Sequence, residues 1–149
     1  MRKIKFRAWD KATKNGWIPK PIKQMIYFNV YCPPEYLGVT YDEEGTWKRR
    51  FEIMQYTGLK DQVGEAIYEG DILYRTVIIS LIGSDMPKRT VGEYLEVVFR
   101  DDYAGFFIGE TPLHGYVGAT VDIHTKCKCT DVEVIGNIYE NPELLEDNT

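Results

Sequence analysis

Cysteine is scarce in this chain. Cys32, Cys127 and Cys129 are the only three, an odd number and too few for a disulfide-built scaffold. No run of about 18 apolar residues occurs, so no membrane-spanning helix is expected. The opening MRKIKFRAWD lacks the apolar core of a secretory signal, which points to the cytoplasm. Histidine is limited to His114 and His124, so any imidazole chemistry rests on those two. There is no Gly-x-Ser-x-Gly elbow and no phosphate-cradling glycine loop ending in Lys-Ser/Thr. Leu and Ala, the best helix formers, number only 8 and 5.

β-branched and aromatic residues are abundant instead. Val, Ile, Thr and the aromatics make up 56 of 149 residues. Such side chains suit a pleated, half-buried surface and lose rotamer freedom in helices. With 44% hydrophobic and 28% charged residues, the composition is that of a globular domain and not of a disordered chain. A mainly β, single domain is expected over 1–149, able to hold a core without metal or disulfides. Charge is unevenly placed. Residues 1–75 carry 13 Lys/Arg and 10 Asp/Glu, a net of +3, and residues 76–149 carry 5 and 13, a net of −8.

Local patterns outline the strands. Ile4, Phe6 and Ala8 alternate with Lys3, Lys5, Arg7 and Trp9, which predicts a strand over 3–9 with one buried face. Asn15-Gly16 marks a tight turn, Met25 to Tyr31 is a second apolar stretch, and Phe51 to Tyr56 a further strand. Gly58, Gly64 and Gly70 recur at even intervals, as turns requiring positive φ would place them. Glu69-Gly70-Asp71 before Ile72-Leu73-Tyr74 has the pattern of a diverging turn entering a strand of an SH3-like small barrel, with Asp71 bonding backbone amides. Ile72 to Ile82 reads as a long apolar strand interrupted by Arg75, and Glu93 to Arg100 as the next strand. Asp101 to Gly105 then turns the chain into Phe106-Phe107-Ile108, a hairpin. Val121 to Ile123 and Val132 to Ile135 are further strand segments. Asn141-Pro142-Glu143 starts one short C-terminal helix, with Asn141 as N-cap and Pro142 at the first position.

Three blocks in order along the chain carry a resemblance. They are Ile4 to Asp10; Met54 to Asp61 with Gly64 and Ile67 to Ile72; and Glu133 to Leu145. Together they resemble the YopX protein family of temperate phages and prophages. The resemblance implies a mainly β fold containing an SH3-like barrel, and the barrel core is expected over about 50–139 with an N-terminal β extension over 1–49. It implies an origin in a mobile genetic element and a cytoplasmic setting in a bacterial host. It implies no activity and transfers no catalytic or binding residue.

Candidate chemistry is sparse. His124, Cys127 and Cys129, with Cys32 as a fourth ligand, are the best metal set, but Cys-x-Cys is tighter than the usual zinc knuckle. The bland alternative has Cys127 and Cys129 sharing one face of a strand. The acids Asp42, Glu43, Glu44, Asp85, Asp101 and Asp102 fall in predicted turns, where no spacing forces them together. No catalytic residue, metal or cofactor is assigned. For nucleic acid, Trp47 beside Lys48, Arg49 and Arg50 is the best local cluster, with Trp9, Trp17, Tyr56 and Arg7 as further stacking and basic groups.

The expectation is a non-enzymatic phage or prophage accessory protein that binds a protein or nucleic-acid partner. A self-assembling structural subunit and a hydrolytic enzyme are the alternatives. Val77, Ile78, Ile79, Leu81 and Ile82, around Ser80, form an apolar run without charge, and an unprotected strand edge invites pairing. A homo-oligomer is expected in which 77–82 are partly covered by a neighbouring copy, unless the run lies centrally in its sheet.

Overall fold

The structure is a computed structural model that describes residues 3–11, 24–28, 39–41, 47–49, 51–80, 85 and 87–146. It divides into two compact units, Met1–Tyr56 and Thr57–Thr149. The fold is mainly β, as the composition predicts, and among the described residues no helix is long and apolar enough to cross a membrane.

In the first unit β1 (Phe6–Asp10) pairs antiparallel with β2 (Gln24–Phe28), while β3 (Val39–Tyr41) and β4 (Trp47–Arg49) form a separate ladder. On its other side β1 pairs with the first part of β5 (Phe51–Lys60), so Ala8 lies between Ile26 and Ile53. β1 thus lies inside its sheet with both edges paired, and the predicted alternation holds only in part. Ala8 and Asp10 are buried in phase with each other, but Arg7, of the opposite phase, is buried as well at 3% exposure, while Ile4, ahead of the ladder, is 48% exposed.

The second unit is organised by β7 (Asp71–Ile79), which follows the short β6 (Ala66–Tyr68). β8 (Arg89–Glu96) runs antiparallel to β7 from Ile72↔Glu96 to Ile79↔Arg89. The chain then forms a three-stranded sheet from β9 (Val98–Arg100), β10 (Gly105–Ile108) and β11 (Thr111–Pro112), followed by a single 3₁₀ turn at Leu113–Gly115. β12 (Lys128–Cys129) and β13 (Glu133–Asn137) return to the free side of β7, one near its end and one near its start. α1 (Glu143–Glu146) closes the described chain. Ile67, Leu73, Val97, Ile108, Leu113, Tyr116 and Val132 make the core, with contributions from both sheets and the connections between them.

β7 is therefore central, and at Val77 and Ile78 the picture of an unprotected edge is corrected, while Ile79 pairs with Arg89 on the β8 side. Val77 pairs with Val91 and Cys129, Ile78 with Thr90 and Lys128, so both have a strand on either side. Leu81 and Ile82 lie outside the described residues, as do the Asn15-Gly16 turn and Arg50.

The glycine reading holds. Gly58, Gly64 and Gly70 have φ of +89°, +87° and +83°. At the diverging turn Asp71 Oδ2 accepts the Tyr68 N–H at 2.8 Å, as its position predicts. That turn also explains why the strand expected over Glu93 to Arg100 is two strands. Gly70 donates its N–H to the Val97 carbonyl at 2.8 Å, and Val97 donates to Asp71 at 2.9 Å. Val97 is thus bonded to the turn and to the first residue of β7, where the β8 ladder ends, and β9 starts the second sheet at Val98. Val121 to Ile123 is not a strand either. Val121 makes one isolated bridge to Lys128, and Asp122 begins a turn with Cys127 and Lys126. At the C-terminus the Asn141 carboxamide does not cap the helix by its side chain but accepts the Asn137 N–H at 3.3 Å.

Asp61 shows how these turns are held. Its Oδ1 accepts the N–H groups of Val63 at 3.0 Å and Glu65 at 2.8 Å, and its Oδ2 accepts that of Val134 in β13 at 2.9 Å. The residue is 6% exposed, so removing its carboxylate strands donors away from water. Asp61→Ala is expected to cost about 2–4 kcal/mol in urea unfolding, and Asp61→Asn less, since the amide keeps one accepting oxygen. Equal midpoints for Asp61→Ala and the parent chain would contradict this role.

Candidate functional site

Arg75 occupies the inward phase of β7, between Leu73 and Val77, and its side chain is only 2% exposed. A charge buried there must be paired. Glu93 lies directly opposite in β8, and Arg75 Nε donates to its Oε2 at 2.9 Å. Arg75 Nη2 donates to Asp122 Oδ1 at 2.5 Å, and Nη1 to Cys129 Sγ at 3.7 Å. The guanidinium carbon stands 4.6 Å from the centre of the Tyr116 ring. One side chain thus ties β8, β12, the turn at Asp122 and the segment after the 3₁₀ turn to β7.

The partners are held in turn. Asp122 Oδ2 accepts both the N–H and the hydroxyl of Thr125 at 2.7 Å each. Burial alone would raise the Asp122 pKa, but the two Thr125 bonds and the Arg75 guanidinium outweigh it and hold the carboxyl well below its ordinary value. Burial pushes the Tyr116 phenol up, against the pull of Arg75. Burial likewise pushes the Cys129 thiol up, so it stays a neutral thiol that donates to the Ala119 carbonyl at 3.8 Å. Thr111 Oγ1 and His124 Nε2 lie 2.8 Å apart at the rim. Chemically this is a largely buried ion-pair network that fixes a long connection to the sheet.

A second cluster lies on the β9–β10 hairpin. Arg100 grips Asp102 with two bonds, Nε to Oδ1 at 3.1 Å and Nη2 to Oδ2 at 2.6 Å. Its guanidinium lies 4.9 Å from the Tyr103 ring centre and 5.3 Å from that of Phe107. Tyr103 tilts against Phe107 at 5.4 Å between centres, and Phe99 meets Phe106 edge-on at 5.4 Å. The Arg100 bonds hold the Asp102 carboxyl below its ordinary range. Ala104, with φ of +48°, completes the tight turn. Tyr103, 66% exposed, shares the Arg100 and Phe107 face, while Phe99, 41% exposed, lies on the opposite face with Phe106.

The residues singled out from sequence fare differently. Trp47, Lys48 and Arg49 form β4, backbone-paired with Tyr41, Thr40 and Val39, and Arg50 is outside the described residues. Cys32 and the acids Asp42, Glu43 and Glu44 also lie outside them. Cys127 and Cys129 do not share a strand face: β12 starts at Lys128, Cys129 is buried against Arg75, and Cys127 sits in the preceding turn with its thiol toward the Thr125 carbonyl. Among the described residues, no group of three His, Cys, Asp or Glu is placed to hold a metal ion. His114 is exposed on the 3₁₀ turn. Sequence reading missed Arg75 and the hairpin aromatics. The available signals were a lone cation at an inward position of an apolar strand, and an Arg between two aromatics at an Asp-Asp turn.

Removing one partner of a buried pair leaves the other charge stranded. Arg75→Met is expected to lose about 3–5 kcal/mol in urea unfolding. Because the folded Asp122 pKa is depressed, its contribution is complete above the unfolded value of about 3.9 and is lost as pH falls below that toward the folded value. Stability should therefore drop below about pH 4, and Asp122→Asn should flatten that part of the profile. An unchanged acid limb in that variant would exclude Asp122 as its source.

Comparison with known proteins places this geometry in context. The crystal structure of protein EF1440 from Enterococcus faecalis is similar over 97% of this chain and 99% of that chain, with 26% identity and a TM-score of 0.50. No curated protein matches significantly. The YopX protein family matches residues 5–146, and with so nearly all of its length accounted for, the chain belongs to that family.

Proposed function

We propose that this chain is a non-enzymatic binding module of phage or prophage origin, working in the bacterial cytoplasm and taking a protein partner on the β9–β10 hairpin. The observation that carries the reading is Tyr103, 66% exposed and stacked beside the pre-paired Arg100 on one face of the hairpin. Tyr and Arg dominate interface energetics when held rigid, because little side-chain freedom is lost on docking. The second unit carries 7 Lys/Arg and 17 Asp/Glu, a net of −10, which disfavours a polyanion and favours a partner with a basic rim. The diverging turn and the short strands around one core support reading this unit as an SH3-like small barrel.

The first unit carries 11 Lys/Arg and 6 Asp/Glu, a net of +5, and includes Trp47 to Arg50. That balance favours nucleic acid there as the second reading.

The test is affinity capture from lysogenic host cells, comparing the parent chain with a Tyr103→Ala variant. A protein held by the parent and bound at least about tenfold more weakly by the variant is the expected result. Capture of nucleic acid instead, with affinity falling steeply between about 50 and 200 mM salt and indifferent to the variant, would overturn the hairpin reading.

A further inference from the structure

β8 pairs with β7 on one side, and among the described residues of the second unit no strand pairs with its other side. Its first half, Arg89 to Gly92, is exposed, and its second half, Glu93 to Glu96, is half-buried. Such an edge presents backbone donors and acceptors in strand geometry. Its side chains select an occupant. The register sets Val91 opposite Val77 and Glu93 opposite Arg75, so Arg89, Val91 and Glu93 project from one face at alternate positions.

Cation, apolar, anion in that order is its own antiparallel complement. We propose that two copies of this chain pair through β8 about a two-fold axis at Val91, extending the β8–β7 sheet across both. A two-fold normal to a sheet keeps faces matched, so only registers centred on a residue are allowed. Centring on Val91 sets Val91 against Val91 and Arg89 against Glu93 of the second copy, twice. Centring on Glu93 sets two carboxylates face to face, centring on Gly92 sets Val91 against Glu93, and centring on Thr90 sets Arg89 against Val91. Charge therefore chooses the register. Ile79, 40% exposed and diagonal to the 43% exposed Val91, lengthens the apolar seam on the same face. Glu93 keeps its Arg75 bond through Oε2, with a side chain still 38% exposed for a second cation. The self-association expected at 77–82 is thus moved one strand outward, to the edge that β7 itself does not have.

Sedimentation velocity tests the pairing. The parent chain should sediment as two copies of 17.3 kDa, with a thermal midpoint that rises with concentration. Val91→Lys, which sets like charges opposite each other at an exposed position, should give a single-chain mass with unchanged circular dichroism. Arg89→Glu, also at an exposed position, should weaken the dimer by at least about tenfold. A parent chain that stays at single-chain mass at high micromolar concentration overturns the proposal. So does a dimer whose mass and dissociation constant neither variant changes.

Discussion

A single guanidinium sets the architecture of the second unit. Arg75 is 2% exposed on the central strand, where an apolar residue would satisfy packing alone. Once a cation stands there, its neighbours follow. Glu93 must lie opposite in β8, Asp122 must be brought back from a distant connection, and that connection must turn at Thr125 to keep the carboxylate saturated. The Tyr116 ring covers the guanidinium face, and the Cys129 thiol stays protonated beside it. A buried pair of this kind adds little net stability over an apolar core, but it penalises any arrangement that leaves a charge unpaired. That penalty is what holds the long connection between β11 and β12, which has little regular structure of its own, in one place on the sheet.

The residues that carry the family resemblance serve another purpose. Asp61 binds three backbone N–H groups, Asp71 binds that of Tyr68, and Asn137 Oδ1 accepts from Tyr139 at 3.0 Å and Glu140 at 2.9 Å. At Gly136 any Cβ would run into the Asn141 side chain, which closes the same turn. These are turn-forming groups whose oxygens are bonded to the main chain. They specify how strands connect, so family membership conveys a fold. The β9–β10 hairpin and the β8 edge lie outside those blocks.

The charge division gains sharpness from the structure. Split at Tyr56, the chain has one unit at +5 and the other at −10, a wider contrast than any halving by length reveals. The hairpin belongs to the acidic unit.

What could be read directly from sequence was local. Strand content follows from β-branched and aromatic side chains, and the turns follow from Gly58, Gly64, Gly70 and Asp71, because positive φ and Asx bonding are decided within a few residues. Where tertiary contacts compete, local reading fails. Arg7 is buried although the alternation put it on the open face of β1. Val97 breaks a strand because a turn 26 residues earlier claims its backbone. Arg75 meets Glu93, Asp122 and Cys129 across 18, 47 and 54 residues of sequence. No spacing rule spans such distances. Sequence determined the strands and their turns, since those depend on each residue's own torsions and near neighbours. Tertiary structure alone decided which strand became the centre, which edge stayed open and which charge was enclosed, since those depend on the order in which strands pair.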